Sequence, residues 1–366
     1  MSDRLIALIT NTIRPYCFDV PRLMALPDQF EYRFRYRERW LQRGLQGTGM
    51  QGRAAVIVMR DFDTSGFHAI RLARITKVEE YGEIKHIVFA VCEYPSKHWR
   101  DEVVHILQQT LKAIHETNVG GRDLSPLVLE LDASFPDSTD RNDSEQAKHW
   151  DDVVSSLGGL ECFKDYSFFR VLGVKDSKKR ETPTASYEGR GGRAFKLSPA
   201  KSYDLQVLQK LPWRLSENES ISNPFEVKLT TTGSALALVR DSETVVGKYD
   251  VLSFLFRTSE TKIEQNTHLE IAAPQPGTGG VDAPHVWLGV LITPTIGARV
   301  LSALAIVVVV VGILTMGFAE ELSKWLSVEF VTPNFFRASA LFLIALGSGQ
   351  WADLIKAFLG RAKDVA

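Results

Sequence analysis

The chain has 366 residues, with 43 Lys and Arg against 44 Asp and Glu, a net charge of −1 and a pI near 6.7. That balance gives no global attraction for nucleic acid, and the 45 % apolar fraction is enough for an ordinary core. Cys17, Cys92 and Cys162 are scattered, with no CxxC pair, which argues against a disulfide scaffold or a zinc site and fits a reducing compartment.

The opening segment, MSDRLIALITNTIRP, has only LIALI as an apolar stretch and no cleavage-like site, so it does not read as a secretory signal. Glu31 to Arg37 alternates, with Tyr32, Phe34 and Tyr36 on one face and Arg33, Arg35 and Arg37 on the other. Gly47, Gly49 and Gly52 spell GxGxxG, but a dinucleotide fingerprint needs a strand before it and a helix after it. Here a buried strand, Ala54 to Met59, follows instead, so the loop reads as a connector. Phe67 to Ile75 and Glu83 to Cys92 are further strands around a turn at Glu79 to Gly82. Val103, Ile106, Leu107, Leu111 and Ile114 then recur at helical spacing within Trp99 to Glu116. The expectation for residues 1–133 is a small curled sheet or β-barrel of α+β type with a capping helix.

Residues 134–146 are polar and acidic and read as a linker. Short strands follow at Ser167 to Val174, Asp204 to Gln209, Phe225 to Leu229, Ala235 to Val239, Thr244 to Val246, Tyr249 to Phe256, His268 to Ile271 and Val286 to Leu291. Their spacing predicts an antiparallel β-sandwich over 147–294, so the chain is mostly β with some α.

From Val300 to Ala319 no charge appears for about 20 residues, the length a helix needs to cross the hydrocarbon core. A second apolar stretch is clearest from Ala338 to Ala352, with Trp325 and Trp351 at positions suited to headgroups. The expectation for 297–358 is a transmembrane helical hairpin. Arg299, Lys356, Arg361 and Lys363 lie on the side of both ends, while the connection carries Glu320, Glu321 and Glu329 against Lys324 and Arg337. The positive-inside rule then places the large N-terminal region in the cytosol, on an inner or plasma membrane. Two spans make a pore only by oligomerisation; small residues at Ala298 and Ser302, and at Ala345 and Gly349, permit close helix contact.

No GxxxxGK[ST], HExxH or GxSxG occurs, and the eight histidines do not cluster, so no catalytic residue, cofactor or metal is assigned. Asp61 with Asp63, and Asp151 with Asp152, are acidic pairs that could hold Mg²⁺ or act as acid and base only with further partners, and Asp61 with Asp63 is better read as an ordinary turn. Arg33, Arg35 and Arg37, about 7 Å apart in a row, are the candidates for an anionic ligand such as a nucleotide or nucleic acid. Their alternative is a solvated face beside Glu31 and Glu38. A second basic loop runs from Lys178 to Arg193.

In layout alone, a cytosolic sensing module joined to a short transmembrane pair, the chain resembles bacterial membrane effectors of antiviral defence. That resemblance implies a non-enzymatic effector that oligomerises on a signal and disrupts the membrane; no residue role is carried by it. A membrane-anchored adaptor that binds a protein partner, or an enzyme with an unrecognised site, are the alternatives.

Overall fold

A computed structural model of the protein describes residues 4–13, 16–45, 47–117, 126–136, 143–163, 166–186, 192–211, 224–261, 263–272, 285–294, 296–326 and 333–347. The chain divides into two units, Met1–Ser259 with Gln265–Ile292, and Glu260–Glu264 with Thr293–Ala366.

The first unit begins with β1 (Leu5–Asn11), α1 (Asp19–Ala25), β2 (Glu31–Arg37), the one-turn α2 (Gly47–Met50), β3 (Ala54–Arg60), β4 (Phe67–Tyr81), β5 (Ile84–Val91), α3 (Lys97–Thr117) and β6 (Val128–Leu131). These strands make a six-stranded sheet in the order β2-β5-β4-β3-β1-β6. β1 and β3 run parallel, and the other pairs are antiparallel. β1 is apolar along nearly its whole length because both of its faces are covered. Leu5, Ala7 and Ile9 meet Val103, Leu107 and Leu111 of α3, while Ile6 and Leu8 enter the main core.

The sheet is not closed into a barrel. Its two edge strands approach through the residues after β2, where Leu41 bridges Val128 and the Leu127 N–H donates to the Trp40 carbonyl at 2.7 Å. Tyr36 Oη also reaches across to donate to the Ile9 carbonyl at 3.2 Å. Curling without closure leaves a gap between β2 and the end of β1. The turn expected at Glu79 to Gly82 is shorter in the structure: β4 runs on to Tyr81, and Gly82, at φ +61°, makes the reversal before Ile84 pairs back.

The chain continues through α4 (Asp143–Gly158), β7 (Phe168–Asp176), β8 (Thr184–Ser186), β9 (Arg193–Leu197), β10 (Ser202–Lys210), β11 (Phe225–Thr231), β12 (Leu236–Arg240), β13 (Ser242–Val245), β14 (Tyr249–Thr258), β15 (Gln265–Ala272) and β16 (His285–Ile292). They form an antiparallel sheet β12-β14-β10-β7 and a six-stranded sheet β13-β11-β15-β16-β9-β8, in which only β16 and β9 run parallel. Leu205, Val207, Phe254 and Phe256 of the first share one core with Val227, Leu229, Leu269 and Leu288 of the second. The same core takes in Phe34, Ile57 and Phe89 of the N-terminal sheet, and Trp150, Val153 and Leu157 of α4.

Buried polar groups fix the helices onto this core. Arg71, 1 % exposed, donates to the carbonyls of Leu23, Leu26 and Cys92 at 2.6 to 2.7 Å and to Asp28, which ties the end of α1 to β4. Its guanidinium lies over the Tyr94 ring, 4.5 Å from the centroid. Burying a guanidinium is tolerable only because nearly every donor finds an acceptor. Lys210 on β10 likewise pairs with Asp151 and donates to Ser155 of α4.

The second unit holds α5 (Ile296–Gly317), α6 (Ala319–Leu326) and α7 (Pro333–Gly347). Among the described residues no helix is long and apolar enough to cross a membrane. Of α5, which has 22 residues, the side chains from 296 to 303 and at 305 lie outside the described residues. α5 and α7 approach closely at Gly312, where an added Cβ would lie 2.8 Å from Ile344 Cγ1 and 3.0 Å from the Ala340 carbonyl oxygen. Ala340 is fully buried at this contact. Of the small residues expected to permit packing, Ala298 and Ser302 lie on α5 and Ala345 on α7, with side chains outside the described residues; Gly349 is wholly outside them.

Candidate anion-binding cleft

The gap left by the open sheet is a cleft of about 570 Å³. Its walls come from the ends of β1 and β3, the start of α1, β2 and Trp40, the last residue of the 3₁₀ turn that follows β2. Both parallel strands present their carboxyl ends to it, the end of a sheet where backbone groups lose their ladder partners and ligands commonly bind.

Alternation along β2 sends Phe34 and Tyr36, 5 % and 4 % exposed, into the core and leaves Arg33 and Arg35 outside, and both line the cleft. Arg60, the last residue of β3, is the third arginine among the lining residues. Among the described residues none of the three has an ion-pair partner, and Arg60 Nε is buried without a hydrogen bond. Arginines gathered at one cleft attract an anion that enters it, and Arg gives such an anion paired, directional donors.

One carboxylate also lines the cleft, that of Asp19. It accepts a hydrogen bond from Tyr32 Oη at 2.6 Å and lies 3.6 Å from Arg22. Burial pushes its carboxyl above the ordinary value, against the Tyr32 hydrogen bond and the Arg22 charge. Tyr36 is raised well above the usual phenol range by burial and, second, by Asp19.

The rim is aromatic. Tyr16 and Phe62 are 39 % and 44 % exposed, and the Arg60 guanidinium lies over Phe62, 5.0 Å from the ring centroid. Phe62 is held by its neighbours. The Asp61 carboxylate accepts from the backbone N–H groups of Asp63 and Thr64 and from Thr64 Oγ1, and the Phe62 N–H donates to Thr12 Oγ1 at 3.2 Å. Burial raises the Asp61 carboxyl, but these bonds outweigh it and hold the group below its ordinary value. The Asp61 and Asp63 pair is thus a turn, with Asp61 occupied by its own loop.

Arg37 does not line the cleft; its guanidinium lies over Trp40, 5.9 Å from the ring centroid. The other basic segment is divided. Asp176 binds the backbone N–H groups of Lys178 and Arg180, residues 187–191 lie outside the described residues, and Arg193 lines a second cleft of about 450 Å³. There Arg74 and Arg193 face Glu31 and Glu93, so the charges balance.

Sequence reasoning missed Arg60, Asp19, Trp40 and Phe62. The signal for Arg60 and Phe62 was present: a buried strand ending in RDFDTSG puts a cation and an aromatic at a fixed turn.

No family model matches this chain, and no curated protein matches it. Among solved structures, segments are similar to a Bacteroides ovatus GH5 xyloglucanase, at 13 % identity over 27 % of this chain and 17 % of that one, TM-score 0.17. E. coli alpha-2-macroglobulin is similar at 14 % identity over 31 % of this chain and 7 % of that one, TM-score 0.20. The cupredoxin domain of amoB from Nitrosocaldus yellowstonii is similar at 6 % identity over 25 % of this chain and 55 % of that one, TM-score 0.17. The chain therefore spans well under two thirds of these proteins, and likenesses of this size carry no argument about fold or function.

Proposed function

We propose that this protein is a membrane-attached, non-enzymatic effector that binds an anionic ligand in the cleft of Arg33, Arg35 and Arg60. The observation that carries the reading is three arginines against one carboxylate, Asp19, among the residues lining one cleft, with no salt bridge to any of the three among the described residues. Attachment rests on the uncharged sequence Val300 to Ala319 and the second apolar stretch from Ala338 to Ala352, read as a transmembrane hairpin. The first unit is then cytosolic, with its two C-terminal sheets as a β-sandwich. Ligand binding promotes oligomerisation, and the assembled helices disrupt the membrane, as the layout shared with effectors of antiviral defence implies.

The test follows a potential-sensitive dye in cells expressing the full chain. The wild type depolarises the membrane when its chains are clustered. Val309→Arg costs about 3 kcal/mol of insertion and abolishes the effect. Persistent polarisation, with helices inserted and chains oligomeric, would replace the effector by a membrane-anchored adaptor.

A further inference from the structure

We infer that the ligand of this cleft is a nucleotide, recognised in three parts: phosphates by the arginines, the base by the aromatic rim and a hydroxyl or amine by Asp19. This rests on the anion-binding reading and goes beyond it by assigning the rest of the ligand.

A simple inorganic anion needs only the cations. The cleft supplies two further kinds of group that such an anion does not use. Phe62 is nearly half exposed at the rim, and its loop is fixed by the hydrogen bonds to Asp61 and Thr12, so it offers a preformed apolar surface. Arg60 lies over Phe62, which brings a phosphate-binding group and a stacking surface side by side. Asp19 is the one carboxylate residue among those lining the cleft, and a carboxylate there repels a bare phosphate. It favours a ligand that carries a donor away from its charged end, as sugar hydroxyls and base amines do. The volume, about 570 Å³, is that of a small-molecule site. A nucleic acid strand calls instead for a long basic track, and this near-neutral chain has both charge signs in its second cleft.

The experiment is isothermal titration of the full chain in detergent micelles with pyrophosphate, adenosine, ADP, UDP and a single-stranded RNA 12-mer. At least one nucleoside diphosphate is expected to bind about tenfold more tightly than pyrophosphate. Phe62→Leu should erase that advantage and Phe62→Tyr should keep it, each checked for an unchanged melting curve. Equal binding of pyrophosphate and both diphosphates overturns the nucleotide assignment and leaves the anion site standing. Binding by none of the probes overturns both. Tightest binding by the RNA, or a preference that survives Phe62→Leu, also overturns the assignment.

Discussion

Arg60 closes β3 where its carbonyl accepts from the Thr12 N–H at 3.2 Å and its guanidinium lies over Phe62. The cation that completes the cleft is therefore positioned by the same turn that positions the aromatic rim. Asp61, 2 % exposed, holds that turn through one hydroxyl and two backbone donors. Asp61→Ala should cost about 1 to 2 kcal/mol, because three charge-assisted hydrogen bonds that hold the turn are lost. The pH dependence has a definite sign. The folded-state value lies below the ordinary 3.8, so the stabilisation is complete above that value and disappears as pH falls through the folded one. Urea denaturation at pH 7 and at pH 3 measures it: the gap between wild type and Asp61→Ala narrows in acid, and a gap that stays constant shows that the carboxylate is not what holds the loop. On β5, burial and then Arg33 hold the His86 imidazole below the ordinary value, with Glu79 opposing and Arg35 adding to the lowering.

Single strands of this protein are legible in proportion to how unevenly they are buried. β2 has its expected bounds because Arg and aromatic residues alternate along an edge strand with one wet face. β1 gives no such alternation, since α3 covers one face and the main core the other, and LIALI alone looks like any apolar stretch. α4 begins at Asp143, inside the acidic segment expected to be a linker, and continues past it. Its buried residues Trp150, Val153, Val154 and Leu157 are spaced for a helix, but the polar first turn hides them. For the C-terminal helices the structure identifies Gly312 as the close contact with α7. Gly312→Leu should force α5 and α7 apart, whereas Gly317→Leu, where an added Cβ meets nothing within 4 Å, should not. Limited proteolysis of the full chain in detergent distinguishes them: only Gly312→Leu is expected to speed cleavage between α5 and α7. Equal cleavage of both variants would show that the contact does not hold the pair.

Across the first unit the N-terminal sheet, α4 and the two following sheets bury one continuous core, so changes in one part are felt in the others. The sequence shows enough β periodicity to imply several sheets, but not that the first stays open. Its edges meet through the Leu41–Val128 bridge and the hydrogen bonds around it rather than through a strand ladder, which no local pattern encodes. The site is partly legible for the same reason. The alternation of β2 exposes Arg33, Arg35 and Arg37, yet only the curl of the sheet brings Arg33 and Arg35 to the same cleft as Arg60, while the 3₁₀ turn after β2 sets Arg37 against Trp40. The most direct measurement of the account is titration of the full chain in detergent with pyrophosphate at low and high salt. Wild type should bind with an affinity that falls as salt rises, and combined Arg33→Gln, Arg35→Gln and Arg60→Gln should bind at least about tenfold more weakly with little salt dependence. Combined Arg74→Gln and Arg193→Gln, in the charge-balanced cleft, should bind like wild type. Equal affinity and salt dependence in wild type and the folded triple variant would contradict the cleft as the anion site.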